Sequence, residues 1–290
     1  MAQILTLVAG PATRLTPALL ARVRDAVSAG APVSLSDGEA ADLPCPAPPD
    51  RALIAAALDG APVDWAVLPA EHRRKRLLIA DMDSTIVTGE TLDELAAQAG
   101  VGEQVAAITR ESMEGKLDFA QALRARVAML RGLPLAALER TWAGVRLSPG
   151  ARTLVATMRA HGARAVLVSG GFTFFTGRIA ALCGFDAHQA NLLLDDGTAL
   201  TGAVAEPILD RDAKLTALRR WAGDLGLSHR DTLAVGDGAN DLAMIQEAGL
   251  GIAYRAKPVV AAAAGARVDH ADLRALLYFQ GYSASVFRDG

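Results

Sequence analysis

Asp81 and Asp83 stand one residue apart in Asp81-Met82-Asp83-Ser84-Thr85, directly after the apolar run Leu77-Leu78-Ile79-Ala80. Such a run predicts a short buried strand, and alternate side chains of a strand share a face. The two carboxylates therefore begin on one side, where the backbone leaves a sheet. Facing one small volume, they repel each other unless a cation or a shared proton relieves them. The pair alone is a weak signal, because many such pairs are solvated loop ends. Its weight comes from further segments.

The sharpest of these is Leu233-Ala234-Val235-Gly236-Asp237-Gly238-Ala239-Asn240-Asp241. A second apolar strand ends in hard oxygen donors, which suit Mg2+, an ion that keeps several waters and takes few protein carboxylates. The plainer reading is an Asp/Gly/Asn turn. Val166-Leu167-Val168 runs into Ser169-Gly170-Gly171-Phe172. Glycines there let the backbone approach an anion, and a helix start offers free N–H groups, although alone the pattern is an ordinary strand–helix turn. Lys214 opens a helical stretch, where an ammonium can neutralise a phosphoryl oxygen or hold an attacking carboxylate. A single lysine is more often a solvated surface residue. Arg126 follows Phe119 by seven residues, nearly two helical turns, on an apolar face. A guanidinium there wants a carboxylate or phosphate. Glu90 is one candidate and a bound anion another, and the sequence leaves the two even.

The elements that must position these groups divide the chain of 290 residues. Residues 1–72 predict a small α+β module, with strands at 4–8, 33–35 and 63–68, helices at 16–29 and 50–58, and a proline-rich loop at 43–49. Arg73-Arg74-Lys75-Arg76 reads as a solvated boundary. Over 73–290, strands at 77–80, 164–168, 232–235 and 250–253 alternate with helices, predicting an α/β parallel sheet that binds ligands at the carboxyl ends of its strands. Residues 86–147 are almost wholly helical, an insertion expected to act as a cap. Thr91 and Glu94 fit a capping box, and Asp118 can cap the following helix, with Leu123, Val127 and Leu130 inward.

A net charge of −3 makes no case for nucleic acid or an anionic membrane. Cys45 and Cys183 have no metal-ligand spacing, and a disulfide between them is disfavoured. The first eight residues read as a strand rather than a leader, and the alanine-rich run at 259–264 is too short for a bilayer, so the expected setting is cytoplasmic.

Taken in order, DMDST at 81–85, SGGF at 169–172, Lys214 and GDGAND at 236–241 resemble the four motifs of the haloacid dehalogenase (HAD) superfamily of phosphotransferases. DMDSTIVTGETLDELA and MEGKLDFAQALRARV, the latter at 113–127, are similar to the phosphoserine phosphatases. The resemblance covers 77–280 and implies a Rossmann-like parallel sheet, the HAD fold, with an inserted helical cap. It implies Asp81 as nucleophile, Asp83 as the acid and then base, and Mg2+ held by Asp81, the Asp83 carbonyl and Asp237, with Asp241 in support. Ser169, Gly170 and Lys214 would hold phosphoryl oxygens, and Asn240 would contact phosphate or a metal water. Arg126 would pair with the substrate carboxylate and Glu90 with its ammonium, while Phe119 and Met113 would wall the pocket. The implied reaction is hydrolysis of O-phosphoserine through an aspartyl-phosphate, the last step of serine synthesis. The implied partner is a small molecule, not nucleic acid or membrane, and a homodimer is allowed.

Two alternatives compete. One is the same chemistry on another small phosphorylated metabolite, including transfer to homoserine. The other is an amino-acid sensor with a degenerate enzymatic half, against which the intact Asp81, Asp83, Lys214 and Asp237 stand. The role of residues 1–72 stays open, regulation being one candidate.

Overall fold

The computed structural model describes residues 2–113 and 117–290, with the backbone alone at Ser112 and Met113. The chain opens with β1 (Gln3–Ala9), α1 (Pro17–Ala26), β2 (Val33–Ser36), β3 (Ala40–Cys45), α2 (Arg51–Leu58) and β4 (Val63–Pro69). Thr16 caps α1 and Asp50 caps α2, each accepting a backbone N–H of the first turn. β5 (Leu77–Ala80) leads to the Asp81 segment and then to the cap helices α3 (Thr91–Gln98), α4 (Gly102–Met113), α5 (Phe119–Ala128) and α6 (Ala136–Gly144). After them come α7 (Ala151–Ala160), β6 (Arg164–Phe172), α8 (Thr173–Cys183) and β7 (Ala187–Asn191). A hairpin of β8 (Leu193–Asp195) and β9 (Leu200–Val204) precedes α9 (Arg211–Asp224) and β10 (Thr232–Gly236). The chain closes with α10 (Leu242–Glu247), β11 (Leu250–Tyr254), α11 (Pro258–Ala263), β12 (Ala266–Val268) and α12 (Ala275–Phe279).

One sheet of ten strands runs in the order β2-β3-β1-β4-β12-β11-β10-β5-β6-β7. From β12 to β7 the pairing is parallel, as expected. Leu78 and Ala80 of β5 pack into one core and Leu77 and Ile79 into another, so the strand is buried on both faces. β4 joins β12 antiparallel at Trp65 and Arg267, so the strands of the first 72 residues extend the same sheet, and a core cluster of their own forms among residues 5–63.

Three expectations are corrected. The proline-rich stretch is strand as far as Cys45, and Pro44 sits opposite Ile4 of β1. The Pro44 carbonyl accepts the Gly30 N–H on the outer side, so the missing proline N–H also faces away from the β1 ladder. The basic run is solvated only in part: Arg74 and Arg76 are exposed, whereas Arg73 and Lys75 are drawn into the protein. Arg73 binds both oxygens of Asp42, at 2.6 and 2.5 Å, and the hydroxyl of Thr6 at 2.7 Å. Lys75 is 5% exposed, its ammonium on the carbonyls of His72 and Arg230. Finally, no Thr91–Glu94 capping box forms, because Asp83 takes the Thr91 N–H. The box at Asp118 and Gln121 does form.

The β8–β9 hairpin was not anticipated. It joins the cap, with Gly132 N–H donating to the Leu200 carbonyl and Leu200 N–H to that of Leu133. Cys45 and Cys183 are free, buried and in separate cores. No described helix is long and apolar enough to cross a membrane.

Candidate active site

β5 and β10 are paired neighbours, so their carboxyl ends deliver Asp81 and Asp237 to one edge of the sheet. The Asp81 N–H donates to the Val235 carbonyl at 3.0 Å, fixing one loop to the other strand. Beneath them lies Lys214, 1% exposed, brought in by the first turn of α9. Asp210 caps that turn by accepting the N–H groups of Asp212 and Ala213. The Lys214 ammonium donates to Asp81 at 2.6 Å and to Asp241 at 2.5 Å. Burial works against its charge, but Asp241 and Asp81 outweigh that and hold its pKa above the ordinary value.

Carboxylates of Asp81, Asp237 and Asp241 offer oxygens within 4.8 Å of one another. Burial pushes the Asp81 carboxyl well up, reinforced by Asp241 and only partly offset by Lys214. Burial, Asp241 and Glu90 raise Asp237 to about 6. One buried ammonium is too little positive charge for these three acids. A divalent cation with hard-oxygen preference fits the donor set and would relieve the excess.

Asp83 sits on the turn Met82–Ile86, its oxygens accepting the N–H (2.9 Å) and hydroxyl (3.3 Å) of Thr91. Burial first and Glu90 second raise its pKa to about 7. It is thereby poised to carry a proton near neutrality. A Cβ on Gly171 would stand 3.0 Å from Asp83 Oδ2 and 3.1 Å from Ser169 Oγ, so glycine is what lets this strand pass so close. The Ser169 hydroxyl accepts the Gly171 N–H at 2.9 Å and keeps its own proton free to donate.

A cavity of about 280 Å³ opens above these groups. Asp81, Asp83, Ser169, Gly170, Asp237 and Asn240 form its floor, and Glu90, Phe119 and Arg126 reach it from the cap side. Lys214 and Asp241 lie below that floor, with Lys214 bridging Asp81 and Asp241. Phe119 covers Gly170 closely, with Cζ 3.0 Å from where a Cβ would stand. Glu90 accepts from Ser84 at 2.6 Å, and Arg126 donates to the Ala122 carbonyl at 3.3 Å. Among the described residues Arg126 makes no ion pair with Glu90, so both charges remain for a ligand. The side chain of Met113 lies outside the described residues.

The sequence reading missed three groups here. Thr109 and Lys257 also line the cavity. Asn191, 3% exposed, donates to the Gly170 carbonyl at 2.9 Å and accepts the Leu209 N–H at 2.7 Å. It ties the Ser169–Gly170 segment to the lead-in of α9, hence to Lys214. No local pattern marks it.

A sequence profile for haloacid dehalogenase-like hydrolases matches residues 78–246. A phosphoserine phosphatase of Streptomyces coelicolor is 45% identical over 80% of this chain and 57% of its own length. That of Streptococcus thermophilus is 45% identical over 69% of this chain and 93% of its own. The chain thus spans little more than half of the first relative and nearly all of the second. A crystal structure of a probable phosphoserine phosphatase from Vibrio cholerae aligns with a TM-score of 0.81 at 31% identity, covering 98% of this chain and 88% of that one.

Proposed function

The chain belongs to the haloacid dehalogenase-like hydrolases, and from that premise we propose that it hydrolyses O-phosphoserine to serine and phosphate. The observation that carries the substrate assignment is the pair of opposite, unpaired charges on the cap side: Arg126 and Glu90 share a cavity with the Asp81 floor. They match the carboxylate and ammonium of an amino acid whose phosphate points down.

Asp81 attacks phosphorus, and the bond from phosphorus to the serine oxygen breaks as the aspartyl-phosphate forms. The leaving alkoxide takes the proton of Asp83, whose raised pKa keeps that proton available. Asp83 then accepts a proton from the water that attacks the phosphoenzyme, freeing phosphate and restoring Asp81. Lys214 aims the Asp81 oxygen and, with Ser169 and the Gly170 N–H, offsets charge on the phosphoryl group. Asn240, on the cavity floor, would contact phosphate or a metal water. Asp81, the Asp83 carbonyl and Asp237 would hold Mg2+, with Asp241 in support, and the ion would screen the repulsion between carboxylate and phosphate. Phe119 and the cap exclude bulk water.

The reading places the enzyme at the end of serine synthesis, in the cytoplasm, where two free buried thiols are in keeping. A panel of phosphoserine, phosphothreonine and sugar phosphates, each with Mg2+ and with a chelator, tests it. We expect phosphoserine to lead and the chelator to abolish turnover. A preference for sugar phosphates would reject the substrate but not the mechanism.

A further inference from the structure

The carboxyl edge that carries Asp81 and Asp237 continues beyond them. β1 and β12 both run antiparallel to β4, so the end of β1 opens on the same edge. A second cavity of about 400 Å³ lies there, where the end of β1 and the β2–β3 turn meet the segment after β12. None of the catalytic groups lines it. Its size is within the range of small-molecule sites, roughly 300–1,000 Å³.

Its formal charges balance, three carboxylates against three guanidiniums, but the pairing among them is uneven. Three acids face it, and each has a partner. Arg14 pairs with Asp37 at 3.0 Å, and Arg274 with Asp272 at 3.0 Å and Glu39 at 3.1 Å. Tyr278 also donates to Glu39, at 2.8 Å. Arg255 and His270 are left over, with no carboxylate partner among the described residues. The Arg255 guanidinium has only a 3.5 Å approach to the Ala271 carbonyl and a place near the Tyr254 ring. The His270 ring makes no hydrogen bond among the described residues. Both residues are exposed, and their backbones are fixed. His270 N–H donates to buried Asp64 at 3.0 Å, and Arg255 N–H to the Val268 carbonyl at 2.8 Å. Arg255 also adopts a φ of 45°, a left-handed backbone that a residue with a side chain rarely takes.

We propose that this cavity binds a small metabolite bearing a carboxylate or phosphate, with Arg255 and His270 taking the oxyanion. Each acid already has a partner in Arg14, Arg274 or Tyr278, whereas the Arg255 guanidinium has no carboxylate partner among the described residues, and an oxyanion would supply one. The location has a consequence for the catalytic region. Two residues after Arg255, the Lys257 N–H donates to the Asp237 carbonyl at 3.1 Å, and the Lys257 side chain lines the catalytic cavity. A ligand that draws on Arg255 therefore acts on the segment bracing Asp237. This link, unlike the binding itself, rests on the hydrolase reading.

The test follows the His270 ring signal by NMR in the full chain, assigned with His270→Gln. Malonate is titrated in one arm and inorganic phosphate in the other. We expect a saturable shift in at least one arm, and the tighter arm identifies the oxyanion. Arg255→Asn, which tolerates the left-handed backbone, should weaken that binding by about tenfold or more. No saturable shift in wild-type protein, or equal affinity in folded Arg255→Asn, overturns the site. Phosphoserine turnover is measured in the same titrations. A change that is lost in Arg255→Asn sustains the link to Asp237, and unchanged turnover beside a saturating shift overturns the link alone. Because binding is read at His270, its failure leaves the phosphoserine assignment untouched.

Discussion

Lys214 and Lys75 are both buried, one under the catalytic cavity and the other where the N-terminal strands meet the hydrolase region, and their surroundings pull in opposite directions. Lys214 lies on two carboxylates, which hold its proton more tightly than usual. Lys75 lies on two backbone carbonyls, and burial, against a smaller pull from Asp231, lowers its pKa to about 8. The catalytic region thus concentrates full charges of both signs, an arrangement that is costly to fold and useful for chemistry. The junction answers charge mostly with dipoles and with one enclosed ion pair, Arg73 with Asp42. Substitutions should separate the two regions: activity lost with the fold intact in one, stability lost in the other.

The largest expected effect is at Asp81. Asp81→Asn keeps an oxygen for Lys214 and removes the attacking group, so phosphate release should fall by roughly 10⁴-fold or more. Its melting temperature without metal should not fall, because one crowded carboxylate is gone. Wild-type turnover in this variant would remove Asp81 from the mechanism. Arg73→Ala should do the reverse. It leaves Asp42 buried beside Thr6 without a counter-charge, which costs about 3–5 kcal/mol in urea unfolding. A loss under about 1 kcal/mol would show that the junction does not depend on this pair.

These two residues also show how far the sequence could be read. Asp81, Asp83, Asp237 and Asp241 were legible because each lies in a short motif at the carboxyl end of a strand, and the parallel alternation that predicts such strands also puts those ends on one edge. Arg73 was misread as solvated because its partner, Asp42, is fixed by sheet pairing between β1 and β3, which no local pattern encodes. Thr91 and Glu94 have the spacing of a capping box, yet Asp83 from another segment outcompeted Glu94 for the Thr91 N–H. Pro44 argued for a loop, and only the direction of its carbonyl shows why a strand tolerates it. The alternation of strands and helices over 77–280 predicted the parallel half of the sheet. It was silent on β4 joining β12, which rests on one residue pair and the carboxylate of Asp64 gathering the N–H groups of Asp269, His270 and Ala271.

Asn191 gives an intermediate effect and sharpens the boundary between positioning and chemistry. Asn191→Ala frees the Gly170 carbonyl and the Leu209 N–H together, loosening Ser169 and Lys214 relative to each other. Turnover should fall by about 10- to 100-fold. A purely structural role would instead lower stability alone and leave kcat unchanged in the folded fraction. The pH of half-maximal activity, set by Asp83, should stay in place because Asn191 does not touch it.

The smallest effect is a pair of opposed slopes in stability against pH. In metal-free protein, Asp237 and Asp83 have folded pKa values of about 6 and about 7, above the 3.8 of a free aspartate. The folded state then binds more protons than the unfolded one in that window, so stability falls as pH rises from 4 to 7. Lys75 works the other way. Its folded pKa of about 8 lies below the ordinary 10.5, so between those values the unfolded chain binds more protons and stability rises with pH. The rise should be about 1–3 kcal/mol at most. Urea midpoints measured across this range should show a falling limb and then a rising one. Mg2+ should flatten the falling limb, where its ligands titrate, and leave the other unchanged. Lys75→Met should flatten only the rising limb. If Mg2+ flattened both limbs equally, the two aspartates and Lys75 would not be reporting on separate regions, and the contrast between site and junction would fail.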